Sequence, residues 1–206
     1  MVKEITIYVE GGGNDNQRLA KECRRGFKEF FNKLGIRAAI VACGGRDKAY
    51  HRFCIGLKRN EHCLLLVDSE EPIKDKMDVW QHVFLRQGDN WDKPKNATKD
   101  HLHFMVECME AWFMADKESL ANYYNKNFHR NVLPKNTNIE DIPKSTLMES
   151  LKKATRDTTK GEYSKGENSF DILSKIDANK VIANSSYAER LHNTLKDPSK
   201  FLTLSR

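Results

Sequence analysis

Residues 63–72 read CLLLVDSEEP. Leu64, Leu65, Leu66 and Val67 form an uninterrupted apolar run that ends in Asp68, with Glu70 and Glu71 just beyond. A short apolar run bounded by polar residues is the pattern of a strand buried on both faces, the centre of a parallel sheet. Open α/β sheets take their ligands beyond the carboxyl ends of their strands, so Asp68 and Glu70 stand where a ligand is expected. Working outward, residues 5–9 (ITIYV) form another short β-rich run. It ends the same way, in Glu10 followed by Gly11, Gly12 and Gly13. Two strands that deliver carboxylates to one sheet edge predict a site for Mg²⁺, a hard cation that prefers anionic oxygen ligands.

The rest of the first half supports this sheet. Asn14 or Asp15 can cap a helix running to about Leu34, whose apolar face carries Leu19, Cys23, Phe27, Phe30, Phe31 and Leu34, with Gly35 to end it. Residues 38–42 read as a strand, Gly44-Gly45 as a turn, and residues 46–57 as a helix. With 63–67 the pattern is β-α-β-α-β, suited to parallel pairing. A short helix over 74–85, a polar loop over 86–100, a strand over 102–106 and a helix over 107–115 are expected next. A further short helix over 117–124 completes an α/β core of residues 1–124. Residues 125–206 read as a helical extension packed on that core, with helices over 144–154, 170–175 and 186–195. The polar, glycine-bearing stretch 156–168 (RDTTKGEYSKGEN) reads as a loop contributed to the site.

Composition narrows the class. The chain has 206 residues, with 39% hydrophobic and 31% charged, which predicts a globular fold rather than disorder. Lys and Arg outnumber Asp and Glu by 35 to 29, a net charge of +6, and this balance favours a polyanionic partner such as nucleic acid. The five cysteines are scattered among apolar neighbours without a CxxC pair, as expected for buried thiols in a reducing compartment. The amino terminus leads directly into a strand, and no apolar run approaches membrane-spanning length, so a cytoplasmic protein without a membrane anchor is expected.

Several residues can carry chemistry. Glu10, Asp68 and Glu70 form the strongest constellation, and Glu10 can serve as a ligand or as a general acid/base. Alternatively, acids at strand ends cap the helices that follow. The glycines after Glu10 belong to neither a P-loop, since no Gly-Lys-Ser/Thr follows, nor a dinucleotide fingerprint. Glu107 and Glu110 lie three apart, one helix face if the segment is helical. Met109, Trp112 and Phe113 around Glu110 imply burial, and a buried carboxylate needs a cation or an Arg or Lys partner. His101 and His103 share a strand face, but a pair without a third ligand is more typical of structure or substrate contact. Arg18, Arg24 and Arg25 on the first helix, Arg46 after the second strand, and Lys160 and Lys165 beside Tyr163 can contact phosphate or steady charge on a leaving oxygen. A solvated face is the alternative for the first helix, and a solvated loop for Lys160 and Lys165.

Four blocks in order carry a resemblance: YVEGGG with Glu10, LLLVDSEEP with Asp68 and Glu70, VECMEAWFMAD with Glu110, and GEYSKG with Lys165. Together they resemble the Toprim core of topoisomerases, primases and OLD-type nucleases. They look most like a small bacterial Toprim/OLD-like family related to RloB-type proteins, often encoded beside an AAA/ABC-type ATPase in phage-defence loci. The resemblance implies a Toprim-like (Rossmann-like), mostly parallel sheet flanked by helices. It also implies a nuclease site using Mg²⁺ or Mn²⁺, with Glu10, Asp68, Glu70 and Glu110 as acids and Lys165 as a cation for the transition state. The chain departs from the usual Asp-x-Asp by reading Asp68-Ser69-Glu70, with Pro72 where a further acid is common. The rival expectation is a non-catalytic subunit that ties a partner ATPase to nucleic acid.

Overall fold

A computed structural model describes residues 4–197 and residue 199; the ends of the two expected segments, residues 1–3, 198 and 200–206, lie outside it. The fold is α/β. Four strands, β1 (Ile5–Val9), β2 (Ala38–Ala42), β3 (Cys63–Asp68) and β4 (Leu102–Met105), pair in the order β2-β1-β3-β4, and every pairing is parallel. The sheet is flanked by eight α-helices among the described residues: α1 (Gln17–Lys33), α2 (Arg46–Lys58), α3 (Val79–Leu85), α4 (Lys117–Tyr124), α5 (Lys144–Thr155), α6 (Lys165–Lys175), α7 (Ala178–Asn184) and α8 (Ser186–Lys196). This architecture is Rossmann-like. No helix among the described residues is long and apolar enough to cross a membrane.

Alternation along each strand splits the core in two. Ile5, Ile7, Val9, Leu64 and Leu66 face the layer that contains α1, α6 and α7. Tyr8, Leu65, Val67 and Phe104 face α2 and α3. All six residues of β3 are buried, which is why its sequence is apolar without alternation. On the first face, Phe27, Phe30 and Phe31 of α1 are almost fully buried, and Phe30 stacks on Trp112 at 4.8 Å between ring centroids. Each such side chain contributes roughly 1.5–3 kcal/mol by leaving water. Residues from 144 onward join the same core, through Leu147 and Leu151 of α5, Phe170 and Leu173 of α6, and Leu191 of α8. Gly26 lets α1 and α6 touch, since a Cβ there would lie 2.6 Å from the carbonyl oxygen of Phe170.

Three segments differ from their sequence-based expectation. The stretch expected as a helix over 107–115 is a 3-10 helix over Met109–Asp116, preceded by an extended Cys108. Its side chains are buried almost all round, so no single apolar stripe guides a regular α-helix. The stretch 156–168 is not all loop: Lys165, directly after Ser164, is the first residue of α6, because Phe170, Ile172 and Leu173 bury against the core. The helix expected over 74–85 starts only at Val79, where the Asp78 side chain accepts from Trp80 N–H at 2.9 Å. Sequence reading also passed over α7, a short helix that buries Ala178 and Val181.

Candidate metal centre

Register builds the site. Val9 pairs with Leu66, so Glu10 follows β1 one position before the level at which Asp68 closes β3. The Glu10 backbone N–H donates to Leu66 O at 3.1 Å, and the Asp68 N–H donates to Glu10 Oε2 at 3.3 Å. Past Glu10 the chain turns through Gly11 and Gly12, with Gly11 bridged to Gly44 by paired backbone hydrogen bonds of 2.8 and 2.7 Å. Gly12 has φ +90°, and a Cβ there would lie 3.0 Å from both Ala20 and Ala42, so only glycine fits this turn. Glu70 lies beyond β3 with φ +66°, its N–H donating to Glu107 O at 2.9 Å. One carboxylate oxygen from each of Glu10, Asp68 and Glu70 falls within 4.8 Å of the others. These are the three acids read from the strand ends.

Each acid meets a cation. Arg46, at the first turn of α2, lies 3.3 Å from Glu10 Oε2 and donates to the Asp68 carbonyl. It is held by Asp89, which accepts from its Nε and second amino group at 2.7 Å each, and lies 4.9 Å above the Trp91 ring. The Lys144 ammonium hydrogen-bonds Glu70, while its backbone N–H donates to Glu107 Oε2 at 3.1 Å. The Lys165 ammonium lies 3.2 Å from Asp68 Oδ2 and 3.7 Å from Glu110 Oε2. The other oxygens are engaged too: Asp68 Oδ1 accepts from Met109 N–H at 2.8 Å, where the 3-10 helix begins, and Glu110 Oε1 accepts from the Tyr163 hydroxyl at 2.8 Å. Glu110 Oε2 is buried and meets no hydrogen-bond partner among the described residues.

Electrostatics follow from this crowding. Burial, and after it the neighbouring Asp68, pushes the Glu10 carboxyl up to about 7 against the pull of Arg46. Asp68 moves up as well, through burial and the carboxylates of Glu110 and Glu70, with Lys165 opposing. For Glu70 burial pushes up, but the hydrogen bond and charge of Lys144 prevail and the carboxyl moves down. Burial disfavours the Lys165 ammonium, yet Asp68 and Glu110 hold it protonated well above the ordinary lysine range. Clustered carboxylates with opposed shifts are typical of functional sites.

The remaining predicted residues divide. Glu107 and Glu110 do not share a helix face: Glu107 precedes the 3-10 helix and accepts from the start of α5, and only Glu110 turns towards Asp68 and Lys165. His101 sits in the turn before β4 and joins its capping box with Thr98, and His103 Nε2 lies 3.0 Å from Asp100 O. Both belong to the opposite end of β4. Arg18 pairs with Glu22 and Glu167, and Arg25 with Asp171. The Lys160 ammonium lies 4.7 Å over the Tyr123 ring, apart from the acids. Arg24 borders two clefts along α1 and β2, of which the second reaches Gly13 beside the site.

Sequence reading missed Lys144 and Asp89. Lys144 left a signal: a lysine at the first position of a helix opposes the helix dipole and needs an external partner. The same holds for Lys165, whose partners are Asp68 and Glu110. Asp89 left none, since its role depends on Arg46, 43 residues away.

Residues 9–196 match the family model described as a domain of unknown function, DUF4276. The chain belongs to that family. The match spans the charged groups of the cluster, from Glu10 to Lys165. No curated protein and no solved structure matches the chain.

The donor set fits a hard divalent cation. It offers carboxylate oxygens from three residues without thiol or imidazole, and the ammonium groups of Lys144 and Lys165 already bring positive charge to those oxygens. Beside the acids lies a cavity of about 260 Å³ lined by Gly11, Gly12, Met105, Met109, Lys165 and Phe170, open enough to admit a small polar group.

Proposed function

We propose that this DUF4276 protein is a metal-dependent phosphodiesterase acting on nucleic acid, with a Toprim-type division of labour. The observation that carries this reading is the approach of Glu10, Asp68 and Glu70 to within 4.8 Å at the carboxyl edge of a parallel sheet. The order of the four sequence blocks supports it, as does the net charge of +6. Asp68 and Glu70 would hold Mg²⁺ or Mn²⁺, which when bound polarises a phosphoryl oxygen and lowers the pKa of water.

The chain's own residues supply the rest. Glu10, at the mouth of the glycine turn, takes the proton of the attacking water. Lys165 reaches the acids from α6 with half of its side chain exposed, so its ammonium can turn to the phosphate or the leaving oxygen. Glu110 and Tyr163 hold Lys165 in place from behind. Arg46, fixed by Asp89, orients Glu10.

The test is cleavage of plasmid DNA, single-stranded DNA and tRNA in Mn²⁺, Mg²⁺ or EDTA, with wild type beside Asp68→Ala and Glu10→Ala. Metal-dependent cleavage lost in both folded variants is expected. The partner ATPase suggested by the sequence blocks is added in a second series. Absence of cleavage in both series rejects the nuclease and leaves a binding role.

A further inference from the structure

The two edges of the sheet are treated differently. At one edge α8 packs against β4, and Arg190 donates to Leu102 O at 3.0 Å. At the other, β2 has no strand on its outer side among the described residues, and all five of its residues are partly exposed. A cleft of about 740 Å³ runs along this open edge between β2 and α1, flanked by Lys21, Arg24, Lys28 and Arg37. A second cleft, of about 370 Å³, continues from it past Ala42, Lys48 and Arg52 to Gly13. Arg24 borders both clefts, and Gly13 borders both the second cleft and the acid-lined cavity. The three hollows therefore follow one another from the foot of β2 to Glu10 and Asp68.

The charge along this route is largely unspent. Lys21, Arg24, Lys28, Arg37 and Lys48 form no ion pair with any acid among the described residues, while Arg25 beside them is tied to Asp171 at 3.0 Å. Glu4 and Asp15 are the acids that border the two clefts. Ala38, Ala39 and Ala42 keep side chains short along the route, so a polyanion can reach the open backbone edge of β2, whose N–H groups donate to phosphate as readily as to another strand.

The geometry points to a binding track for a single nucleic-acid strand along α1 and the β2 edge, leading one phosphodiester into the acid-lined cavity. This rests on the phosphodiesterase reading and narrows its substrate to unpaired strands or frayed ends. Asp68 is 3% exposed and lies in a recess behind the glycine turn. A duplex is a stiff rod, with a persistence length of about 50 nm, and carries its phosphates on the outside. It can lie across this face but cannot bend a phosphodiester into the recess without opening. A single strand can follow the clefts.

The experiment measures fluorescence anisotropy in EDTA, which separates binding from cleavage. The probes are single-stranded DNA, single-stranded RNA, a blunt duplex and poly-glutamate, titrated over a salt series. The variants are wild type and the triple variant Arg24→Ala, Lys28→Ala, Arg37→Ala, with circular dichroism to confirm folding. If all three cations contact phosphate, the salt slope for single strands falls by about 2 and affinity at low salt drops on the order of 100-fold. Wild type is expected to prefer single strands to duplex. Tighter duplex binding, an unchanged triple variant, or equal binding of poly-glutamate, which would mark an acidic-protein surface instead, each overturns the track. Single-strand binding without cleavage in any metal defeats the phosphodiesterase and leaves the track standing. Full cleavage by the triple variant does the reverse. Should the triple variant unfold, Arg24→Gln alone, at the junction of both clefts, must lower the slope by about 0.7.

Discussion

The Lys165 ammonium lies between Asp68 and Glu110, 3.2 Å from one carboxylate and 3.7 Å from the other, and both acids are buried. One flexible cation thus compensates two carboxylates that would otherwise repel each other in a low-dielectric recess. Lys165→Met is expected to destabilise the protein by about 1–3 kcal/mol, less than for a fully buried pair because half of the lysine side chain is exposed. Mn²⁺ should restore much of that loss by bringing positive charge back to Asp68. Chemical denaturation with and without Mn²⁺ reads both effects, and a variant as stable as wild type in EDTA contradicts the role.

Metal binding should also register without turnover. If Asp68 and Glu70 hold the ion beside Glu10, saturation at about 100 times the Kd stabilises the native state by about 2.7 kcal/mol. The expected result is a rise in Tm with Mn²⁺ or Mg²⁺ in wild type and none in Asp68→Ala. Calorimetric titration gives the stoichiometry, and an equal Tm rise in the variant would place the ion elsewhere.

Gly26 provides a test of the scaffold. Alanine is ordinarily the better helix former by about 1 kcal/mol, but here its methyl would meet the Phe170 carbonyl at 2.6 Å. Gly26→Ala should lower stability by about 1–3 kcal/mol. It should also reduce any cleavage activity, because Phe170 belongs to the helix that begins with Lys165. Urea denaturation and the cleavage assay on one sample would show whether the two losses occur together.

Asp116 gives a pH signature away from the site. Burial pushes its carboxyl up, but the Lys180 ammonium at 2.7 Å and the N–H groups of Ser119 and Asp177 outweigh it and bring it down to about 2. A carboxyl whose pKa is lower when folded stabilises the fold above its unfolded value of 3.8 and loses that contribution as pH falls towards 2. Asp116→Asn should therefore cost about 1–2 kcal/mol at pH 7. The gap to wild type should narrow steadily below pH 4, as followed by denaturation at several pH values. A gap independent of pH would contradict the assignment.

Local pattern carried the frame of the fold. The four strands and α1 announce themselves through short apolar runs and helical spacing. Glu10, Asp68 and Glu70 are legible because strand ends lie at one edge of any parallel sheet. The cations were less visible because their meaning is tertiary. Lys144 meets Glu70 across 74 residues and Lys165 meets Asp68 across 97, distances over which spacing says nothing. The segment 109–116 misled for a related reason: its side chains are buried on all sides, so helical periodicity had no polar face to stand against. The glycines and polar residues around Lys165 give the pattern of a loop, whereas the helix it begins is fixed by contacts with α1.

The distribution of the cluster along the chain has a bearing on synthesis. Lys144 leaves the ribosome 74 residues after Glu70, and Lys165 97 residues after Asp68. A nascent chain that has completed the sheet has Arg46 for Glu10 but still lacks the lysines that meet Asp68 and Glu70. On the phosphodiesterase reading proposed above, cleavage competence would therefore arise only once α6 has docked on α1 and brought Lys165 to Asp68.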